Sequence, residues 1–371
     1  MLVGVPKEIK TEEYRVGLTP FCVHELVSHG HTVIVEHNAG SGIGFGDDAY
    51  RAAGASIAST ATDAWKNVDM VVKVKEPQAG EFPFLREDLI LFTYLHLAPD
   101  PVQAEALIKS KCVAIAYETV TDNFGGLPLL SPMSQVAGRL SIQVGSASLE
   151  KSHGGSGVLL GGVPGVYPGK VVVIGGGVVG TNAVRMAMGR EAIVSVLDTS
   201  LHRLQELDLQ FGGRLNTVFS TIANLEEEIA SADLVIGAVL LPGRAAPKLI
   251  KRSMLSKMKP GSVIVDVAID QGGCVETARA TTHKDPTYVV DGVVHYCVAN
   301  MPGAVPRTAT LALNNATLPY VMRLANKGYK AALRDDKHFC DGLNVCRGLI
   351  TNPDVADALQ KKYVRAVEVL G

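Results

Sequence analysis

Three glycines and an aspartate are the clearest candidates for a binding site in this chain. The apolar run VVVI at 171–174 is followed by GGGVVG, so Gly175, Gly177 and Gly180 fit the pattern G-x-G-x-x-G. In this pattern the first glycine permits a tight strand-to-helix turn, the second admits a pyrophosphate, and the third lets helix and strand pack closely. A second apolar run ends at Asp198, 23 residues after Gly175, where a carboxylate would bind ribose hydroxyls. A structural glycine turn does not explain that acid, so the pattern predicts a dinucleotide site.

Four charged side chains close to the ends of predicted strands could carry a reaction. They are Arg15 in the polar loop KEIKTEEYR, Lys75 at the end of VVKVK, His96 at the end of LILFTYLH and Asp270 just past SVIVDVA. Ligands of open α/β sheets bind beyond the carboxyl ends of the strands. We therefore expect the first three to face one crevice of an N-terminal domain. With the cofactor and Asp270 on a second domain, catalysis is expected in the cleft between the two.

These residue types suit hydride transfer to a small keto or imino acid. The planar fork of an arginine binds a carboxylate, and a lysine or protonated histidine polarises a carbonyl oxygen. Histidine exchanges protons near neutral pH, and a carboxylate can act as base where ammonia or water is exchanged. Structural roles are the alternative for these residues. Arg15 could be a solvated loop residue, and Asp270 could cap the turn QGG. His96 ends an apolar strand, so its side chain must find either a structural partner or a ligand.

The elements that must position these residues form two α/β units. In the first unit we predict strands at Leu2–Val5, Thr32–Glu36, Met70–Lys75, Leu89–Leu95 and Cys112–Tyr117. In the second we predict strands at Val171–Ile174, Ile193–Leu197, Thr217–Ser220, Leu234–Ala238, Val263–Val267 and Tyr288–Val290. Strands that alternate with helical patterns imply parallel sheets. The predicted fold class is α/β, with two Rossmann-like domains.

Proline marks three predicted helix starts, and at the first two it follows a capping residue. Proline is tolerated at the first helical position. Thr19-Pro20 begins the first helix, and Ser131-Pro132 begins a long helix that ends at about Lys151. Pro306 begins another long helix, which ends at about Lys327. The two long helices join the domains. If the second returns the chain to the first unit, residues 1–130 and 307–371 form a substrate domain, into which a dinucleotide-binding domain of residues 131–306 is inserted.

Composition limits the possible classes of protein. A length of 371 residues accommodates two domains with sizeable cores. The hydrophobic content of 47% and the mean hydropathy of +0.20 fit parallel sheets buried on both faces and surface buried between subunits. The net charge of −2 gives no electrostatic case for nucleic acid or membrane partners, and no apolar run approaches the roughly 20 residues that span a bilayer.

Cysteine usage and the N-terminal residues bear on compartment. The six cysteines are scattered, without C-x-x-C, and we expect buried reduced thiols in a cytoplasmic protein. The segment LVGVP reads as a strand and carries no signal-peptide pattern. The nine histidines other than His96 show no metal-ligand spacing, and we expect most of them at the surface or in loops.

Five separated segments resemble the bacterial alanine dehydrogenase family. They are VGVPKEIKTEEYRVGLTP, VVKVKEP, TYLHLAPD, GGVPGVYPGKVVVIGGGVVG and VIVDVAIDQGG, which occur in this order across essentially the whole chain. The resemblance implies reversible oxidative deamination of L-alanine to pyruvate and ammonium, with NAD as cofactor. It also implies an inserted dinucleotide domain and a homohexamer.

The resemblance also implies roles for individual residues. Arg15 and Lys75 would hold the substrate carboxylate and carbonyl, His96 would be the acid/base at the carbonyl oxygen, and Asp270 would assist attack and departure of water and ammonia. With the glycine pattern it implies cofactor contacts from Ser134, Gly175, Gly177, Val178, Val179, Gly180, Asp198, Arg203, Ser220, Val239, Leu240, Val267, Ala268, Ile269, Asp270, Val298, Ala299, Asn300 and Met301. Some members bind magnesium through a glutamate and a histidine on the late connecting helix. Here that helix reads PYVMRLANKGY, so no metal is expected.

Several alternatives stay open. The NAD-binding part of a proton-translocating transhydrogenase is similar over much of this length, but typically has glutamate at the position of Asp270. A non-catalytic NAD-binding protein is disfavoured by the charged residues at strand ends, and a saccharopine-type dehydrogenase would need a wider pocket. Asp198 favours NAD because it would repel a 2′-phosphate, whereas the nearby Arg203 could accommodate one.

Overall fold

The computed structural model describes residues 1–239 and 246–371, which divide into two compact units. Unit 1 comprises Met1–Met133 and Val305–Gly371, and unit 2 comprises Ser134–Ala304. Unit 1 is therefore assembled from two segments that flank unit 2 in the sequence.

The described residues contain fifteen strands and thirteen α-helices. The strands are β1 (Leu2–Val5), β2 (Thr32–Glu36), β3 (Ser56–Ala58), β4 (Met70–Val72), β5 (Ile90–Thr93), β6 (Val113–Ala116), β7 (Lys170–Ile174), β8 (Ile193–Asp198), β9 (Leu215–Phe219), β10 (Leu234–Gly237), β11 (Val263–Asp266), β12 (Thr287–Val290), β13 (Val293–Tyr296), β14 (Leu343–Cys346) and β15 (Leu349–Ile350). The α-helices are α1 (Pro20–Ser28), α2 (Asp47–Ala52), α3 (Ala61–Trp65), α4 (Pro101–Ser110), α5 (Ser131–Ser148), α6 (Val178–Gly189), α7 (Leu201–Phe211), α8 (Ile222–Ser231), α9 (Arg252–Leu255), α10 (Pro306–Arg334), α11 (Lys337–Cys340), α12 (Pro353–Ala358) and α13 (Ala366–Leu370).

The sheet of unit 1 has the strand order β3-β2-β1-β4-β5-β6-β14-β15. Strands β1 to β6 pair in parallel, while β14 and β15 add an antiparallel edge. The strand order reverses between β1 and β4, which makes their carboxyl ends the topological switch point where open α/β sheets bind ligands.

The sheet of unit 2 repeats this plan with the order β9-β8-β7-β10-β11-β13-β12. Its strands are parallel except for β12, which pairs antiparallel with β13. The switch point here lies between β7 and β10. The predicted α/β class with two Rossmann-like domains is confirmed.

The central strands are apolar runs buried on both faces. In unit 1, Leu91 on β5 and Ala114 on β6 share a core with Trp65 of α3 and Leu107 of α4. In unit 2 the equivalent core packs strand residues such as Ile264 against helices α8 and α9. Helices that cover a parallel sheet explain why its strands lack polar alternation.

The structure corrects several predicted boundaries. Strand β4 ends at Val72 and β5 at Thr93, so Lys75 and His96 lie in the segments that follow the strands rather than at their last positions. Helix α5 ends at Ser148 instead of about Lys151. Helix α10 continues to Arg334, but its backbone is non-helical at Gly328, next to the predicted end at Lys327.

Four strands were missed by the sequence reading, namely β3, β13, β14 and β15. All four span only two to four residues, too short for a recognisable period. The polar side chain of His295 interrupts the apolar run of β13, yet it is fully buried. It contacts the carbonyl oxygen of Val293 at 3.0 Å and Thr277 Oγ1 at 2.8 Å.

The cysteines are all free and buried. Within the described ranges, no cluster of three or more His, Cys, Asp or Glu side chains is suited to a metal ion. In the same residues, no helix combines the length and apolar character that crossing a membrane requires.

Candidate active site

Arg15 of unit 1 is a buried residue, not a solvated loop arginine. Its side chain is 2% exposed, and it forms a bidentate ion pair in which Nε and Nη2 lie 2.6 and 2.5 Å from the carboxylate oxygens of Glu13. Nη1 lies 3.2 Å from Sδ of Met133. Burial acts to lower the pKa of the guanidinium, but the Glu13 carboxylate outweighs this and raises it. A permanent cation is therefore fixed beyond the carboxyl end of β1.

A buried ion cluster fixes the segment that follows β4. Lys73 Nζ lies 3.0 Å from Glu8 Oε2 and 2.8 Å from Glu81 Oε1, with all three side chains at most 3% exposed. Glu8 Oε1 also accepts hydrogen bonds from the backbone N–H of Val74 (2.7 Å) and Lys75 (3.1 Å). The sequence reading missed this cluster. The only signal for it was a second lysine, two residues before Lys75.

Lys75 itself is half-buried, and its amine has a lowered pKa. Burial is the main cause, and the positive charge of Arg15 lowers the pKa further. The structure thus brings Arg15 and Lys75 into one cationic neighbourhood, as the strand-end rule predicts for the ends of β1 and β4.

His96 projects from the segment after β5 and has an exposed side chain. Its backbone is left-handed, with φ of 49°. Its ring stacks on that of Tyr94 with centroids 5.8 Å apart. The Glu118 carboxylate accepts the backbone N–H of Leu95 at 3.1 Å and of His96 at 2.6 Å, and lies 3.9 Å from His96 Nδ1. Glu118, which the sequence reading missed, therefore holds this turn through its backbone hydrogen bonds.

The glycine loop of unit 2 fits a dinucleotide. Gly175 has φ of 98°, a conformation that favours glycine, and a Cβ at Gly180 would collide with the carbonyl oxygen of Gly175. A Cβ on Gly177 would have no atom within 4 Å, so the space beside this residue is open. Gly177 is the N-cap of α6 and makes no side-chain capping hydrogen bond. The first N–H groups of α6 therefore remain available to a phosphate.

Asp198 and Arg203 are both engaged with this loop. Asp198 Oδ2 accepts the N–H of Gly176 at 2.7 Å, and Oδ1 accepts that of Ser200 at 2.8 Å. Arg203 donates from Nε to the carbonyl oxygen of Gly176 at 2.7 Å, and Nη1 pairs with Glu206. The arginine that could accommodate a 2′-phosphate is thus already paired with a carboxylate.

Asp270 lies in the 3₁₀ helix Val267–Gln271 that follows β11. The backbone N–H of Asn300 approaches Asp270 Oδ1 at 3.4 Å, and Asn300 has φ of 64°. The buried Asp266 accepts the N–H of Ala268 at 3.1 Å and of Val275 at 3.2 Å. Asp266 therefore fixes the segment that carries Asp270, a support that the sequence reading missed.

The other predicted cofactor residues belong to unit 2 and follow neighbouring strands. Val178 and Val179 begin α6, Ser220 follows β9, Val239 follows β10, and Val267, Ala268 and Ile269 follow β11. Val298, Ala299 and Met301 follow β13, and Ser134 lies on α5. Leu240 falls outside the described residues. Since the carboxyl ends of parallel strands share one edge of a sheet, most of these positions are brought to the edge that carries the glycine loop.

Replacing Asp198 with alanine should narrow the preference for NAD over NADP. At an effective dielectric constant of about 20, the repulsion between Asp198 and a 2′-phosphate about 6 Å away is about 2–3 kcal/mol. Its removal should change the ratio of kcat/KM with NAD to kcat/KM with NADP by on the order of 100-fold. Because Asp198 also accepts two backbone hydrogen bonds, Asp198→Asn is the better matched variant. It keeps an acceptor and loses the charge. An unchanged ratio of kcat/KM values in both variants would remove Asp198 from cofactor selection.

Comparison with known proteins gives consistent matches over the whole chain. The family models described as alanine dehydrogenase/PNT, N-terminal domain and C-terminal domain match residues 4–137 and 141–353. The chain is 58% identical to an alanine dehydrogenase of Halomonas elongata over 371 residues, and 56% identical to alanine dehydrogenase 2 of Staphylococcus aureus, with 100% of each chain covered.

Solved structures agree with this. An L-alanine dehydrogenase is 55% identical, with a TM-score of 0.94 over 97% of this chain and 99% of that one. A transhydrogenase from Sinorhizobium meliloti is 26% identical, with a TM-score of 0.81 over 95% and 99% of the two chains.

Proposed function

Because the chain belongs to the alanine dehydrogenase/PNT family, we propose that one unit carries the substrate-binding residues and the other carries the cofactor-binding residues. The chain catalyses the reversible oxidative deamination of L-alanine to pyruvate and ammonium with NAD. We assign the substrate domain to residues 1–130 and 307–371 and the NAD-binding domain to residues 131–306. The observation that carries this assignment is the cationic pair Arg15 and Lys75 in one unit, where His96 follows the adjacent strand β5, with the glycine loop in the other unit.

The substrate is held by its charges. Arg15 binds the alanine carboxylate through its guanidinium group, and its fixed charge favours the anion. Lys75 donates to the oxygen at C2 in the pyruvate state. Bound NAD supplies the hydride acceptor for the hydrogen on Cα.

Proton transfers fall to two side chains. Water must add to the imine carbon after oxidation, and Asp270 takes a proton from that water and later assists the departure of ammonia. His96 removes the proton from the resulting hydroxyl group as the carbonyl forms, and returns it in the reverse direction. The stacked Tyr94 ring and the Glu118 carboxylate keep the His96 ring oriented for this transfer.

The remaining residues of the glycine loop and its neighbours bind the cofactor. We propose contacts from the positions named above, with the α6 N-terminus at the pyrophosphate, Asp198 at the adenosine ribose, and Asn300 beside the nicotinamide. Leu240 is included on the resemblance alone.

An assay of NADH oxidation tests the function. Pyruvate with ammonium should support turnover. Neither the combination of 2-oxoglutarate and lysine nor an NADP analogue should support it. Turnover of glyoxylate reports how strictly the enzyme requires the methyl group of the substrate. No turnover with pyruvate and ammonium contradicts the proposed function. Hydride exchange with the NADP analogue in the absence of any amino acid would favour a transhydrogenase instead.

We also propose that the chain assembles as a homohexamer. The resemblance implies this state, and unit 2 exposes an apolar hairpin closed by a bridge between Val163 and Val166, with Tyr167 92% exposed. A second copy is the occupant that would cover such a surface in a homo-oligomer.

Light scattering should therefore give about six times the chain mass of 39.2 kDa. The double variant Val166→Ser/Tyr167→Ser should lower that mass by weakening an interface. The matched control is Leu209→Ser, since Leu209 is 87% exposed but lies on α7, away from this hairpin in sequence. A monomeric wild-type protein at micromolar concentration would contradict the hexamer.

A cytoplasmic location completes the proposal. All six thiols are free and buried, and free cysteines are typical of proteins from reducing compartments.

A further inference from the structure

We propose that the Lys75 amine condenses with the carbonyl group of a 2-oxo acid to form a Schiff base when ammonium and reduced cofactor are absent. This inference rests on the proposed function, because a 2-oxo acid must bind beside Lys75. Lys75 would then be a covalent binding site for the product of the enzyme, in addition to its role in polarising the carbonyl oxygen.

The first step of the argument compares two lysines of one short segment. Lys73 is fully buried and lies between the carboxylates of Glu8 and Glu81, at 3.0 and 2.8 Å. Lys75 is half-buried, and among the described residues its Nζ has no hydrogen-bond or ion-pair partner. Glu8 cannot serve it, since its two oxygens are occupied by Lys73 and by backbone N–H groups. Lys75 therefore presents an accessible amine and Lys73 does not.

The second step concerns the charges around each amine. Burial and the nearby cations Arg15 and Lys10 lower the pKa of Lys75, while Glu76 and Glu13 raise it by less. Glu76 is itself paired with Lys10, and Glu13 with Arg15. Lys73 shows the opposite balance: burial lowers its pKa, but the two carboxylates outweigh this and raise it. A desolvated lysine beside another cation is the usual environment of an amine nucleophile.

The third step is the chemistry, which balances without an oxidant or reductant. The neutral Nζ attacks C2 of the 2-oxo acid and forms a C–N bond, and the carbonyl oxygen is protonated to a hydroxyl. The two amine protons then leave with that oxygen as one molecule of water, and a C=N bond remains. Water hydrolyses the adduct and releases the 2-oxo acid. Ammonium releases Lys75 by replacing its nitrogen at the same carbon.

The experiment traps the C=N bond. The purified enzyme is incubated at about pH 7.5 with pyruvate and sodium cyanoborohydride, without NADH or ammonium, and the modified lysines are located by peptide fragmentation. We expect one carboxyethyl group per chain on Lys75 and none on Lys73. An ordinary lysine with a pKa of about 10.4 is only about one part in a thousand neutral at this pH, so surface lysines should label far more slowly. Added ammonium should suppress the labelling.

The control variant is Lys75→Arg, which keeps a cation but has no condensing amine, and it should lose the label at this position alone. Labelling of exposed lysines such as Lys66 and Lys109 at the rate of Lys75 would overturn the proposal. So would an unlabelled Lys75 in a preparation that turns over pyruvate and ammonium. If neither label nor turnover is found, the proposed function fails as well.

Discussion

Replacement of His96 with alanine should reduce kcat by about 10²- to 10⁴-fold, which is the usual contribution of a general acid–base group. NADH binding should be retained, because His96 belongs to unit 1 while the glycine loop and Asp198 belong to unit 2. The measurements are steady-state turnover with pyruvate and ammonium, and a fluorescence titration with NADH.

Backbone conformation is a possible confounder in this test. His96 has φ of 49°, which asparagine tolerates better than alanine does. His96→Asn should therefore show the same loss of turnover with less disturbance of the turn that Glu118 holds. His24→Ala, at an exposed position of α1, is the control and should leave kcat unchanged. A near-normal rate in both His96 variants would remove His96 from the mechanism.

The second large effect is expected at Arg15. Arg15→Met removes the guanidinium from the buried Glu13 carboxylate, and breaking this buried ion pair should cost about 3–5 kcal/mol of unfolding free energy. Loss of a charged hydrogen-bonded contact to the substrate carboxylate should cost about 2–5 kcal/mol of transition-state stabilisation in addition, a roughly 30- to 5,000-fold fall in kcat/KM for alanine. Thermal unfolding and steady-state kinetics measure the two effects separately.

A double variant distinguishes the structural role of Arg15 from its role in substrate binding. Glu13→Gln/Arg15→Met removes both charges, so most of the stability should return. The value of kcat/KM should stay low, because the guanidinium that binds the substrate carboxylate is absent. The surface pair Arg252 and Asp291 has the same bidentate geometry, with 2.9 Å from Nε to Oδ2, but is exposed. Arg252→Met should cost less than about 1 kcal/mol. A double variant with wild-type kcat/KM would show that Arg15 only supports the fold.

Local chemistry made much of the site predictable from the sequence. The glycine loop and its φ requirement at Gly175, the acid at the end of β8, and proline at the start of α1 and α10 depend on neighbouring residues only. The strand ends after β1, β4 and β5 were located to within three residues, enough to select Arg15, Lys75 and His96. Short edge strands such as β3 and β15 carry too few residues to show a period.

The sequence by itself therefore determined two α/β units, a dinucleotide loop and the types of side chain that could carry the reaction. The tertiary structure alone decided how those side chains are tuned. It buried Arg15 against Glu13 and paired Lys73 with Glu8 and Glu81. It left the Lys75 amine without an ion pair among the described residues and placed Glu118 behind His96. The reason is physical. Strand and turn signals arise from residues adjacent in the chain, whereas the charge and orientation of a buried side chain depend on groups brought near it from distant positions, such as Glu8 and Lys73, 65 residues apart.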